Sequence, residues 1–223
     1  MRWPVPTQST RYLSLLAPLM LLAACAAPAP APSFAAAKSV APSADLDARI
    51  ALGRHMVTTH GCGGCHGGGD AYPGAPGWLQ GVRDTSMEFQ IGPFRTRPRN
   101  LTPDNATGLG RFAERQIFNA LRYGLRPEDT PDVEITSSTP GQGNFPLRPH
   151  YLAPPMPWPA FRNMSDEELY AIAAYLKYGL KPVVNRVAES EGPPDFWAGV
   201  YGVKAIGPYP VAAYPTVNEA GGH

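Results

Sequence analysis

Cys62-Gly63-Gly64-Cys65-His66 is the stretch that decides how this chain folds. Two cysteines three positions apart, followed at once by a histidine, form the attachment sequence for a c-type haem. Thiols at that spacing reach the two vinyl groups of the porphyrin as thioethers, and the next side chain is set beneath the iron. A zinc site would need further Cys or His ligands at matching spacing, and the chain holds 3 cysteines in all. A redox disulfide gives no reason for His66. The expectation is one covalent haem c on Cys62 and Cys65, with His66 as proximal ligand.

Helical patterning surrounds the motif. Residues 45–60 place Leu46, Ile50, Gly53 and Val57 on one face, with Asp45 as cap. Gly53 inside a helix costs about 1 kcal/mol relative to Ala, so its presence predicts a close crossing with another helix. A second helix is predicted from about Phe112 to Tyr123, with Ile117, Phe118 and Leu121 apolar and Gly124 ending it in the left-handed conformation. Ala113 stands where a capping Ser or Thr would serve better. The third helix has a capping box, Ser165 with Glu168, and a staple, Met164 with Leu169. Leu169, Ile172, Ala173 and Leu176 form its buried stripe, Gly179 and Pro182 stop it, and it is expected to cross the first helix near Gly53. No segment alternates long enough to predict a sheet.

Composition narrows the class. The 223 residues include 27 Pro and 23 Gly, which argues for short helices and stiff loops rather than a long helical bundle. A net charge of +1 without a basic run excludes an electrostatic footprint for nucleic acid. At 43% hydrophobic the chain can build a core, and long irregular loops need an organising group, which the large apolar faces of a haem would provide.

The amino terminus carries Arg2 and Arg11, then an apolar run from Leu13 to Ala24 too short to span a bilayer. Leu22-Ala23-Ala24-Cys25 resembles the lipobox of bacterial lipoproteins. The resemblance implies a signal peptide over 1–24 and acylation of Cys25, anchoring the protein on the periplasmic side of a bacterial membrane. Residues 25–44, nearly all Ala, Pro and Ser, read as an extended tether.

The second axial ligand must come from a distant residue, and the candidates are Met56, Met87, Met156, Met164, His55, His60, His150 and His223. Met156 lies in Ala-Pro-Pro-Met-Pro-Trp, where flanking prolines fix the backbone just before the last helix. Met164 is occupied as the staple, and His150 is the runner-up.

With Asn100-Leu101-Thr102-Pro103-Asp104, Gly108-Leu109-Gly110-Arg111-Phe112, Ala120-Leu121-Arg122-Tyr123-Gly124, Met156-Pro157-Trp158 and Met164-Ser165-Asp166-Glu167-Glu168-Leu169, residues 45–182 resemble a class I cytochrome c. More closely, they resemble the cytochrome c subunits of bacterial membrane-associated dehydrogenases of alcohols, aldehydes and sugar acids. The resemblance implies an all-α, three-helix cytochrome c fold, haem iron between His66 and Met156, and no catalysis by the chain itself. Its expected role is electron transfer from a periplasmic or membrane dehydrogenase to an oxidase or another cytochrome. The alternative is a haem enzyme or gas-binding protein with an open iron. Family subunits often carry three haem motifs where this chain has one. Residues 125–150, with Glu128, Asp129, Asp132 and Glu134, are expected as an exposed acidic insertion, and residues 183–223 as an extension whose aromatics pack back on the domain.

Overall fold

Gly53 lets two helix backbones touch. In the computed structural model of the protein, a Cβ at Gly53 of helix α1 (Ala44–Thr59) would stand 1.9 Å from the carbonyl oxygen of Ala171 in helix α5 (Asp166–Ala174), and 2.8 Å from Tyr175 Cβ. The predicted crossing is therefore present at the predicted residue. Described are residues 44–68, 72–193, 197, 201, 206–207 and 209–221. The expected signal peptide, Cys25, the tether up to residue 43, Phe196 and His223 lie outside them.

Val57 of α1, Leu169, Ile172 and Ala173 of α5, and Ile117 and Phe118 of helix α3 (Glu114–Tyr123) close one apolar core with Trp78, Leu79, Leu109 and Phe112. Each fully buried Leu or Val in it contributes roughly 1.5–3 kcal/mol. Met164 packs against the same core, as a staple should. The capping box of α5 is complete: Glu168 N–H donates to Ser165 Oγ at 3.1 Å and Ser165 N–H to Glu168 Oε2 at 2.8 Å. At α3, where Ala113 offers no side-chain acceptor, Gln116 Oε1 reaches back to the Ala113 N–H at 3.0 Å. Gly124 ends α3 with φ 68°, and the indole of Trp158 fills the space a Cβ there would need. Beyond Ala174, α5 continues as a π-helical turn over Tyr175–Gly179, whose Tyr175 hydroxyl accepts from Trp78 Nε1 at 2.9 Å.

Three features differ from the sequence expectation. Besides α1, α3 and α5 the described residues contain two short helices, α2 (Cys62–His66) and α4 (Trp158–Phe161), and an antiparallel hairpin of β1 (Phe89–Ile91) and β2 (Phe94–Thr96). Strands of three residues are too short to show alternation, and the left-handed Gly92 between them makes the turn. The insertion is no bare solvated loop either. Leu125, Ile135 and Phe145 form a second small core with Tyr123 and Tyr151, and Asn119 on α3 donates to the carbonyls of Pro131 and Val133 at 2.9 and 3.0 Å. Its four acids are exposed, yet Glu128 meets Arg111 at 3.1 Å, which dilutes the acidic patch, and Asp129 accepts from His150 Nδ1 at 2.9 Å.

The extension packs on the domain. Trp197 is buried edge-on against Phe94 at 4.8 Å, Tyr201 lies 5.0 Å from Trp158, and Tyr209 lies under the guanidinium of Arg122 at 5.2 Å; Tyr214 stays 67% exposed. Among the described residues, no helix is long and apolar enough to cross a membrane.

Candidate haem-binding site

Helix α2 is a single turn joined to α1 through Gly61, whose φ of 68° is the left-handed conformation that glycine adopts without penalty. Gly63 faces inward, where a Cβ would lie 2.1 Å from Trp78 Cζ3, while Gly64 faces open space. The two spacer glycines therefore differ: one is required by packing, the other is not. Cys62 and Cys65 are half-buried thiols not joined to each other. Burial, with a smaller contribution from neighbouring Cys65, pushes the Cys62 thiol up to about 11.

His66 is held from both sides. Its Nδ1 lies 2.7 Å from the carbonyl oxygen of Arg99, and its own carbonyl accepts the Gly81 N–H at 2.7 Å. Burial lowers the imidazole pKa, opposed by the bond to Arg99, so the neutral ring is favoured. A neutral histidine that donates through Nδ1 to a carbonyl keeps a lone pair on Nε2, the state an axial iron ligand requires. No hydrogen bond among the described residues engages Nε2. Two thiols and an oriented imidazole on one helical turn fit a covalent haem: Cys62 and Cys65 would hold it and His66 would ligate its iron. Among the described residues no group of three His, Cys, Asp or Glu side chains forms a separate metal site.

Met156 comes from another part of the chain. It is half-buried in a turn where its N–H donates to the Ala153 carbonyl at 2.9 Å and its carbonyl accepts the Trp158 N–H at 2.8 Å. The Leu152 N–H bonds the carbonyl of Gly124 at 2.6 Å, tying this loop to the end of α3. Helix α4 then brings Phe161 edge-on to His60 at 5.9 Å, two residues before Cys62. The loop bearing Met156 thus leads back to the neighbourhood of α2. The rivals are otherwise engaged: Met56 lies in the core and the half-buried Met164 packs against it, the His60 ring bonds the Met56 carbonyl at 2.9 Å, and His150 faces Asp129. His55 is exposed on α1, and Met87 is half-buried in a 3-10 turn over Thr85–Met87.

Arg99, whose carbonyl orients His66, was not singled out by the sequence. Nothing in the sequence links it to a histidine 33 positions away except its place immediately before Asn100.

No protein-family model matches the chain. Over 166 residues, 73% of its length, it is 28% identical to the cytochrome c subunit of the quinone alcohol dehydrogenase of Gluconacetobacter polyoxogenes, covering 28% of that subunit. Over 173 residues it is 28% identical to the gluconate 2-dehydrogenase cytochrome c subunit of Pantoea cypripedii, covering 32% of it. It is 24% identical over 135 residues to the fructose dehydrogenase cytochrome subunit of Gluconobacter japonicus, covering 22% of it. The chain thus aligns with less than a third of the length of these relatives. The similarity matches the resemblance drawn from the motifs and implies a cytochrome c fold, with which the helix-rich architecture agrees.

Proposed function

We propose that this chain carries electrons on one covalent haem c, passing them from a dehydrogenase partner toward the respiratory chain, and is not itself an enzyme. The observation that carries the reading is the helical turn Cys62–His66, with both thiols half-buried and the imidazole fixed through Nδ1 so that Nε2 remains available. When bound, a haem supplies reversible one-electron chemistry at its iron. The chain contributes two thioether attachments, the orientation of His66, the distal thioether of Met156, and an apolar surround that disfavours the additional charge of the ferric state. In this reading residues 45–182 are a three-helix cytochrome c domain, 183–223 its extension, and Cys25 the lipidated residue that holds the domain at the periplasmic face of the membrane. The relatives support a dehydrogenase as donor, since each named one is a subunit of an alcohol, gluconate or fructose dehydrogenase. The acceptor would be an oxidase or another cytochrome.

The test is to mix the purified oxidised protein with the catalytic subunit of such a dehydrogenase and its substrate, and to follow haem reduction by absorbance. Reduction that stops when substrate is withheld supports the proposal. A protein that is not reduced, yet binds carbon monoxide rapidly and turns over peroxide, has an open iron and belongs to the alternative class.

A further inference from the structure

Residues 183–191 form a strap along the segment that supports His66. The Val183 N–H donates to Thr102 Oγ1 at 3.1 Å, and its carbonyl accepts Asn100 Nδ2 at 2.8 Å. Asn185 Nδ2 donates to the Gln80 carbonyl at 2.6 Å, beside the Gly81 whose N–H holds the carbonyl of His66. At the far end, Glu191 and Arg95 exchange backbone hydrogen bonds of 2.8 and 2.9 Å. Between these anchors sits the side chain of Arg99. Its Nη1 donates to the carbonyls of Ala188 at 2.7 Å and Val187 at 3.3 Å, and its Nη2 donates to Ser190 Oγ at 3.1 Å and Glu189 at 3.3 Å. The other end of the same residue is the carbonyl that accepts from His66 Nδ1.

We propose that Arg99 is a positioning residue for His66, and that the strap grips its guanidinium so that its carbonyl holds the imidazole in one orientation. The inference rests on the reading of His66 as proximal haem ligand. Charge-assisted bonds to backbone carbonyls give the grip its strength. Glu189 adds little, because its side chain is 86% exposed and such a pair is screened by water. Neighbouring backbone bonds secure the segment without Arg99: Val82 N–H to the Pro98 carbonyl at 3.1 Å and Leu101 N–H to the Leu79 carbonyl at 2.8 Å. Losing the guanidinium therefore loosens one carbonyl rather than the whole loop. A weaker Nδ1–H bond makes the imidazole a poorer electron donor, which favours the ferrous iron.

The experiment compares Arg99→Ala, Arg99→Lys, Ser190→Ala and Glu189→Gln in the full-length protein. Two quantities are read: the midpoint potential, and the exchange rate of the His66 Nδ1 proton by NMR in the reduced state. Arg99→Ala is expected to speed that exchange by about tenfold or more and to shift the iron equilibrium toward ferrous by up to about tenfold, which is ~59 mV for one electron. Arg99→Lys should restore part of both effects, Ser190→Ala should reproduce part of them, and Glu189→Gln should change neither. Wild-type potential and exchange in Arg99→Ala would overturn the inference. If the wild-type protein proves to carry no covalent haem, the proposed function fails. Exchange at the His66 ring, compared between that protein and its Arg99→Ala variant, then decides whether Arg99 holds the histidine: faster exchange in the variant supports the inference, and equal exchange overturns it.

Discussion

Replacing Gly53 by Ala tests the packing that positions α2. The added methyl would sit 1.9 Å from the Ala171 carbonyl oxygen, against an ordinary C···O approach of about 3.3 Å. The obstacle is backbone, with no rotamer to turn aside, so α1 and α5 must separate. Separation also costs dispersion, since a gap of about 0.5–1 Å forfeits a quarter to a half of each contact's well, and Leu169, Ala171 and Ala173 are completely buried at this interface. Overpacking of this kind costs about 1–3 kcal/mol, and a backbone clash belongs at the upper end. Helix propensity returns about 1 kcal/mol. The net expectation is a loss of about 2 kcal/mol, or a fall of roughly 4–8 °C in Tm for a chain of this size. Urea unfolding followed by circular dichroism should show a lower midpoint at unchanged slope. If Gly53→Ala instead gains the ~1 kcal/mol of intrinsic propensity, the close crossing is refuted.

Met156→Ala should abolish the weak near-infrared band of an iron–methionine bond and lower the midpoint potential, while Met164→Ala should keep the band and lose about 1–2 kcal/mol of stability through the staple and core contact. The reverse pattern would move the ligand role to Met164. Asp104 accepts the Thr107 hydroxyl and the Thr107 N–H, both at 2.7 Å, and these bonds hold its carboxyl below the usual range. Because the folded state prefers the carboxylate, its stabilisation is complete above the ordinary pKa of about 4 and is lost as pH falls through the lower folded value. The stability difference between wild type and Asp104→Ala should therefore shrink on acidification through that window. A difference that stays constant to the acid end contradicts the bonds.

Local signals were legible because their physics is local. Ser165 and Glu168 cap α5, Gly124 ends α3, and the glycine at position 53 marks a contact that only a missing side chain allows. The haem attachment sequence lies within five consecutive residues for the same reason. What could not be read depends on distant partners or on irregular backbone. Leu125, Ile135 and Phe145 are about ten residues apart with no helical or strand period, yet they meet in one cluster. The hairpin over 89–96 is too short to alternate. The strap contacts 80–102 mainly through carbonyls, which every residue type carries and no composition reveals. The same is true of the Arg99 carbonyl at His66, a backbone acceptor that no residue type marks in the sequence.

The central claim is that Cys62 and Cys65 hold one haem covalently. Intact mass spectrometry of the processed protein under denaturing conditions tests it most directly. The account predicts a single species heavier than the polypeptide, allowing for any lipid on Cys25, by one haem. That increment should be absent from a Cys62→Ala, Cys65→Ala double variant. A wild-type mass without haem, or a haem that washes away on denaturation, would contradict it.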